Sequence, residues 1–488
     1  DGYNVGIGYN AGTAITTGIS NTLIGGLAGD AITTSSSNTA VGRSSLSATT
    51  TGDENSAVGR GSLSANTTGE NNAALGFNAL ASNTTADNNT GIGSSALASN
   101  TTGASNIAIG SLTLDANTTG ELNTAIGQEA MTTNTTGDRN VAVGFKALKT
   151  MNVTDGSHTF NTAVGFAAGE LTTTGTNNTF MGANSGGAVT TGIENTLIGG
   201  LSGDALTDAD FNVAVGSGAL GADTLGSRSV AIGRNTLATQ NFTSATSVNN
   251  TAVGYEAGKS TTVGIDNCLF GSNAGFALTD ADDNVAIGRS ALATDTLGRK
   301  STAVGNGALN LQNFTSSGDT GNTAVGYNAG AATTTGAENT FIGAKAGVAN
   351  TTGRFNTFVG ETSGDSNTTG IRNSAFGQSA FQANTTGDYN TALGRTAMYN
   401  NTTADNNVAV GYEALYNNTT ASNNTAVGYQ ALTANTTGAG NTAFGKGAGV
   451  RVTTGNDNTY IGHTDTSNAG AATSSSNTFV GRSAGERN

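Results

Sequence analysis

Apolar residues recur along this chain with a period of two inside a much longer repeat. The segment NTAVG (424–428) is one of 28 similar segments, and the residue directly before its closing glycine is Val, Ile, Leu, Met or Phe in every one. The residue two positions earlier is mostly Thr or Val. Short segments with this alternation, bounded by turn signals such as TTG and TSSS, predict β-strands.

The glycine that closes this segment, here called the reference glycine, recurs from Gly8 to Gly481. Its spacing is 17 residues in almost every interval. A period this short favours a parallel β-solenoid or β-roll over an α-helical repeat. We therefore predict an all-β fold, a parallel β-solenoid of about 28 rungs, or turns, of 17 residues. Stacking at about 4.8 Å per turn predicts a rod on the order of 130 Å long.

The repeat also predicts the domain organisation, a single continuous solenoid over residues 1–488. Three intervals stretch to 21 residues, near 145–165, 234–254 and 306–326. Their extra residues precede the next strand, so we expect loops that bulge without disturbing the strands. Residues 212–283 and 284–355 match as blocks of 72, which indicates duplication of a four-turn unit. Because the chain starts at Asp1 rather than Met, we expect further residues to precede it.

Composition alone would suggest disorder, since the chain has 73 Gly and only 11% charged residues. The strict periodicity argues against that interpretation. The chain also has no proline, and proline is excluded wherever a backbone N–H must join a β-ladder. We therefore expect almost every strand to be an interior strand.

Asparagine stands four residues before the reference glycine in 26 of the 28 turns, with Ser229 and Ser301 as the exceptions. Identical amides stacked in register can donate to one neighbour and accept from the other. We predict such a ladder, with Asn407 and Asn424 as two of its members. The many NTT triplets could mark N-glycosylation in a eukaryotic secretory context, but turn chemistry explains them with fewer assumptions.

Two positions vary together in size. We call the residue two before the reference glycine the inner column and the residue four after it the facing column. Eight turns have a large inner residue with a small facing one, as in Phe341 with Gly347; fifteen have the reverse, as in Ala409 with Leu415. The other five are small at both places. Because voids and overpacking both destabilise a core, the two columns are predicted to share one packed space.

Adjacent residues of a strand point to opposite faces, so the invariant apolar residues, such as Val410 and Val427, cannot fill that same space. Both faces of the strand are then predicted to be buried. A thin β-roll has one interior, so the second face needs another layer, most simply another copy of the chain. We predict that the two size-matched columns form this seam between chains.

Two short phrases carry a resemblance to known fibrous proteins. NVAVG (212–216) and NIAIG (106–110) resemble the head repeats of YadA-like trimeric autotransporter adhesins. The longer phrase NVAVGYEALYNNTT (407–420) is similar to repeats of phage and marine bacterial fibre proteins that end in an endosialidase-type intramolecular chaperone. The resemblance covers the whole chain and implies a homotrimer of parallel β-rolls on a cell or virion surface.

Charge and hydropathy exclude other partners. The net charge is −14, and the 19 Lys and Arg residues form no basic cluster, so we expect no nucleic-acid binding. No apolar run approaches the roughly 18 residues that span a bilayer, so no membrane insertion is expected. Cys268 is the only cysteine, which excludes an intrachain disulfide. We interpret it as a small buried side chain in an inward column.

No catalytic, cofactor-binding or metal site is predicted. His158 and His463 are separated by about 18 turns, so they cannot share a site within one chain, and we expect no enzymatic activity. The turns TDADFN (207–212) and TDADDN (279–284) contain the weak calcium candidates Asp208, Asp210, Asp280, Asp282 and Asp283. Calcium prefers such oxygen clusters, but solvated turn carboxylates are the favoured interpretation.

Three functions fit these features. The first is a structural fibre segment of an adhesin or tail fibre on a cell or virion surface, supporting attachment to a glycan or protein receptor through its turns and longer loops. The second is a self-assembling extracellular filament whose rods join end to end through open terminal edges. The third is an ice-binding solenoid with threonine arrays.

Overall fold

The structure, a computed structural model, describes residues 2–463 and 472–484. Within those ranges it contains no helix and consists of β-strands of two or three residues joined by turns. The predicted parallel β-solenoid, with about 28 turns of 17 residues, is confirmed. Close contacts group the chain into two compact units, residues 1–249 and residues 250–488.

The strands of the first unit are β1 (Val5–Ile7), β2 (Thr22–Ile24), β3 (Thr39–Val41), β4 (Ser56–Val58), β5 (Ala73–Leu75), β6 (Thr90–Ile92), β7 (Ile107–Ile109), β8 (Thr124–Ile126), β9 (Val141–Val143), β10 (Thr162–Val164), β11 (Thr179–Met181), β12 (Thr196–Ile198), β13 (Val213–Val215), β14 (Gly226–Ser227), β15 (Val230–Ile232) and β16 (Thr246–Ser247). Those of the second unit are β17 (Thr251–Val253), β18 (Cys268–Phe270), β19 (Val285–Ile287), β20 (Gly298–Arg299), β21 (Thr302–Val304), β22 (Gly318–Asp319), β23 (Thr323–Val325), β24 (Thr340–Ile342), β25 (Thr357–Val359), β26 (Ser374–Phe376), β27 (Thr391–Leu393), β28 (Val408–Val410), β29 (Thr425–Val427), β30 (Thr442–Phe444), β31 (Thr459–Ile461) and β32 (Thr478–Val480).

Within each unit, the three-residue strands stack in parallel and in register. Ala409 of β28, for example, lies opposite Ala426 of β29. The two-residue strands form separate pairs, β14 with β16 and β20 with β22. Strands inside a stack are bonded on both sides, which is consistent with the absence of proline.

The reference glycine closes each strand where neighbouring turns come closest. Gly411 has a φ of +134°, a conformation that side chains rarely adopt. A Cβ placed on it would collide with the backbone carbonyl group of Gly428 in the next turn. Any other residue would therefore force the stacked turns apart.

The inner and facing columns fill the interior of the solenoid. The side chains of Phe341 and Leu415 are both completely buried. A Cβ on Gly347 would lie 2.5 Å from Cδ1 of Phe341, so the predicted sharing of one packed space is confirmed. The predicted seam is wrong, because this space lies inside a single chain. Size matching reveals a shared space but does not show which side of the strand faces it.

The turns that are small at both columns occur at a particular place in the stack. Four of the five follow a turn with a large facing residue and precede a turn with a large inner residue. A Cβ on Gly169 would meet Leu148 of the previous turn at 3.0 Å and Phe180 of the next turn at 2.5 Å. The two neighbours therefore lean into the small turn and fill it. Phe166, which follows the reference glycine there, is 55% exposed and adds nothing to the interior.

The asparagine ladder is confirmed. Oδ1 of Asn407 accepts a hydrogen bond from the backbone N–H of Asn424 at 2.9 Å. Nδ2 of Asn407 donates to Oδ1 of Asn390 at 3.2 Å. All three side chains are buried. Each amide thus bridges successive turns and satisfies groups that would otherwise be buried without a partner.

A second asparagine ladder, absent from the sequence prediction, runs through the NTT triplets. Nδ2 of Asn384 donates to Oδ1 of Asn367 at 2.7 Å, and Nδ2 of Asn401 donates to Oδ1 of Asn384 at 3.0 Å. These side chains are fully buried. The triplets therefore have a structural role, and burial keeps these asparagines from serving as glycan acceptors in the folded chain.

The two serine exceptions coincide with a rebuilt ladder beside a longer turn. Nε2 of Gln240 donates to Oδ2 of Asp223 at 2.6 Å and to Oγ of Ser229 at 3.0 Å. Oδ1 of Asp223 accepts from the backbone N–H of Phe242 at 3.0 Å. The same arrangement recurs with Asp295, Gln312, Ser301 and Phe314. This network fixes the start of the second and third inserted loops.

Candidate interaction surface

The invariant apolar residue before the reference glycine points away from the interior. We call this column, from Ile7 to Val480, the outer stripe. In nearly every three-residue strand the middle residue is buried while the outer-stripe residue stays partly or fully exposed. Leu75 is 51% exposed and Leu393 is 46% exposed. Val410 and Val427 are only partly buried. The prediction that they are buried in the interior is therefore wrong, and they lie on the outward face.

A second outward column accompanies the stripe at the first position of each strand. Threonine occupies that position in 17 of the 28 turns. Cys268 lies in this column with a free, partly exposed thiol, so the predicted inward position is wrong. Cys268 is two residues before the outer-stripe residue Phe270, and residues two apart in a strand share a face.

In each unit the outer stripe forms a continuous apolar surface, because stacked strands repeat the same residue type about every 4.8 Å. Scattered apolar residues are normal on a soluble protein, but contiguous exposed patches of several hundred Å² mark interaction sites. The geometry therefore suits the surface for packing against another apolar face. Sequence reasoning found the invariant column but assigned it to the wrong side of the strand.

Aromatic and cationic side chains lie along one border of this face, directly after the reference glycines. Tyr412 and Tyr429 follow successive reference glycines, and their rings stack with centroids 5.3 Å apart. Cζ of Arg395 lies 5.9 Å from the ring centroid of Tyr412, and Nζ of Lys446 lies 5.8 Å from the ring centroid of Tyr429. A hydrogen bond with Glu413 raises the pKa of the Tyr412 hydroxyl. These stacks give this border of the apolar face a polar character.

Three of the five calcium candidates accept hydrogen bonds from protein groups. Oδ1 of Asp210 accepts from the backbone N–H of Ile193 at 2.8 Å. Oδ1 of Asp282 accepts from the backbone N–H of Ile265 at 3.0 Å. Oδ1 of Asp208 accepts from the hydroxyl of Thr191. The remaining two, Asp280 and Asp283, lie in the second unit beside Asp282. Across residues 2–463 and 472–484, no group of three or more His, Cys, Asp or Glu could hold a metal ion.

The two histidines lie in different units. His158 lies in the first long turn, and its Nδ1 is 3.1 Å from Oδ2 of Asp138 in the preceding turn. His463 belongs to the second unit, directly before residues 464–471, which are not described. In the described part of the chain, no helix is both apolar enough and long enough to cross a bilayer.

Comparison with known proteins identifies no family for this chain. No family model matches the sequence, and a search of curated proteins finds no significant match. The resemblance to adhesin and fibre repeats therefore rests on the motif itself.

Proposed function

We propose that the chain is a structural fibre segment of an adhesin or tail fibre on a cell or virion surface. Three parallel chains assemble through their outer stripes, and the fibre acts in attachment rather than catalysis. The observation that carries the proposal is the outer stripe, an apolar column kept on the solvent side of the three-residue strands. The number three comes from the resemblance to trimeric adhesin heads.

The composition of the stripe supports an interface. All 28 of its residues are apolar, although polar residues would serve equally well on a solvated sheet face. Packing against a second chain would remove this surface from water along the whole stack, at about 25 cal/mol per Å² of apolar area. Copies of one chain have the same turn spacing, so their stripes match in length and register.

Ice binding is a second candidate, because the threonine column shares the outward face. Ordered threonines beside small aliphatic residues would form a regular array. Several stripe residues disturb its flatness, however, since Phe270, Phe376 and Phe444 stand among Val and Ile. Bulky side chains are better accommodated by an interface that interdigitates, so we prefer the fibre.

The test is the mass of the assembly in solution, measured by light scattering. We expect the unmodified chain to have three times the 47.9 kDa of one chain. Leu75→Asp with Ile109→Asp places two carboxylates in the outer stripe and should shift the mass towards one chain. The matched control is Leu122→Asp with Leu171→Asp, because these leucines are 50% and 47% exposed and do not belong to the stripe.

A monomeric unmodified chain, or equal loss of mass in both double variants, would contradict the proposal. Negative-stain images separate the fibre segment from a self-assembling filament. Particles of uniform length favour the segment, and indefinite growth favours the filament.

A further inference from the structure

We infer that the chain has a binding site for a carboxylate-bearing saccharide, of the uronic-acid class, beside the second long turn, residues 234–254. The inference rests on the proposed function, since it names the ligand class of a loop that a fibre would present to a surface. The site is a cavity of about 190 Å³ formed by three successive turns. Its polar and aromatic lining is Asp210, Phe211, Ser227, Arg228, Thr246 and Ser247.

The inserted loop builds one wall of the cavity. The turn ending at Gly254 is 21 residues long instead of 17. Its strand β16 pairs in parallel with β14, which places Ser247 next to Ser227. Nη1 of Arg228 donates to Oγ of Ser247 at 2.9 Å. The pairing of β14 with β16 therefore holds the loop in place, and the hydrogen bond to Ser247 orients the Arg228 guanidinium at the cavity.

The exposed groups match the two sides of an acidic sugar. The ring of Phe211 is 41% exposed, and Cζ of Arg228 lies 5.9 Å from its centroid. Aromatic rings pack against the apolar face of ligands, and guanidinium groups bind carboxylates through paired hydrogen bonds. The hydroxyls of Ser227 and Ser247 add donors and acceptors for ring hydroxyls.

The charge of Arg228 is not neutralised by a neighbour. Among the described residues, no carboxylate lies within ion-pair distance of its guanidinium. Asp210, the acidic residue of the lining, accepts the backbone N–H of Ile193 at 2.8 Å. One unpaired cation in a chain of net charge −14 suits a ligand with a single carboxylate better than a polyanion.

The duplicated turn in the second unit gives an internal comparison. Lys300 occupies the position equivalent to Arg228, and its Nζ is 2.7 Å from Oδ2 of Asp319. That carboxylate raises the pKa of Lys300. Arg299 is likewise 3.2 Å from Asp282, and Asp283 replaces the aromatic Phe211. The second copy is thus neutralised internally and lacks the ring, so the inferred specificity belongs to the first copy.

The experiment is calorimetric titration of the full chain with a glucuronic-acid oligosaccharide and with its carboxyl-reduced counterpart. We expect one saturable site per chain for the acid and binding weaker by roughly tenfold or more for the reduced sugar. Arg228→Gln should weaken binding of the acid by a similar factor. Phe211→Leu should also weaken it. Lys300→Gln, the matched control in the duplicated turn, should leave it unchanged.

Several results would overturn the site: no saturable binding, equal binding of both sugars, undiminished binding by Arg228→Gln, or loss of binding in Lys300→Gln. Equal competition by a sulfated oligosaccharide would replace the carboxylate assignment with general anion binding. Light scattering on the same samples separates the two proposals. An assembled chain that does not bind refutes the site alone, whereas a monomeric chain that binds refutes the trimeric fibre alone.

Discussion

At the scale of single residues, the facing column combines burial with an unfavourable backbone. Its Leu, Met and Phe residues have φ values between 47° and 57°, and the left-handed conformation costs roughly 1–2 kcal/mol for such residues. Leu415 is nevertheless completely buried, and burying a leucine contributes about 1.5–3 kcal/mol. The free-energy cost of the left-handed backbone and the gain from burying the leucine are similar in size. A leucine is therefore retained only where the inner residue leaves space for it.

The first prediction tests this exchange of volume. Phe341→Ala should leave a cavity and lower the free energy of unfolding by about 3–5 kcal/mol. Gly347→Leu should collide with the Phe341 ring and lower it by about 1–3 kcal/mol. The double variant recreates the arrangement of Ala409 with Leu415, so it should recover much of the loss. Denaturant unfolding of the four proteins measures this, and strictly additive losses would show that the two positions are independent.

The second prediction concerns Asp115, whose Oδ1 is buried without a hydrogen-bond partner. Burial raises the pKa of its carboxyl above the ordinary value of 3.8. The folded chain therefore holds this proton more tightly than the unfolded chain, and stability is lost as the pH rises through the folded pKa. Asp115→Asn should raise the melting temperature at pH 7 and leave it unchanged near pH 3.

Asp155 provides a control of opposite sign. Hydrogen bonds from Ser157 lower the pKa of its carboxyl, so its contribution to stability is present above the unfolded pKa and is lost as the pH falls through the folded one. Asp155→Asn should therefore slightly lower the melting temperature at pH 7. Equal shifts in the two variants would contradict the assignment.

At the scale of elements, the sequence predicted the repeat, the parallel strands and the Asn407 ladder, because each depends on periodicity alone. It did not predict which side of the strand faces inward. Val410 is invariably apolar and Ala409 is small, so hydrophobicity assigned the wrong column to the interior. The cavity at Arg228 was also missed, because it depends on how an inserted loop pairs with an earlier turn. From the sequence, only the loops themselves were visible as candidate places for function.

The third prediction concerns the ladder that joins these elements. Asn407→Ala removes the acceptor for the backbone N–H of Asn424 and the donor to Asn390. Leaving a buried donor unsatisfied should lower the free energy of unfolding by about 1–3 kcal/mol. Thr420→Ala, at an exposed position between Asn407 and Asn424, should change it by less than about 0.5 kcal/mol. Similar losses in both variants would mean that the ladder contributes little.

At the scale of the whole molecule, charge and apolar surface have different roles. The net charge of −14 favours solubility and disfavours nonspecific association. The outer stripe favours one specific association, because it presents apolar residues on a single face of each unit. Units that each have one apolar face and a net negative charge are expected to form assemblies of limited size, since association covers that face and leaves charged surfaces outside.

The last prediction uses the single cysteine as a reporter of that assembly. Cys268 lies on the same face as the outer stripe, so three parallel chains in register would bring three thiols to one level. A short bis-maleimide should then convert the chain largely into covalent dimers, with about one chain in three left uncoupled, on a reducing gel.

The control moves the thiol to Val263, which is 44% exposed outside the stripe, by combining Cys268→Ser with Val263→Cys. Little coupling is expected there, because those thiols would lie on outer surfaces of the assembly. Equal coupling at both positions, or none at Cys268 in an assembly of three chains, would place the seam on another face.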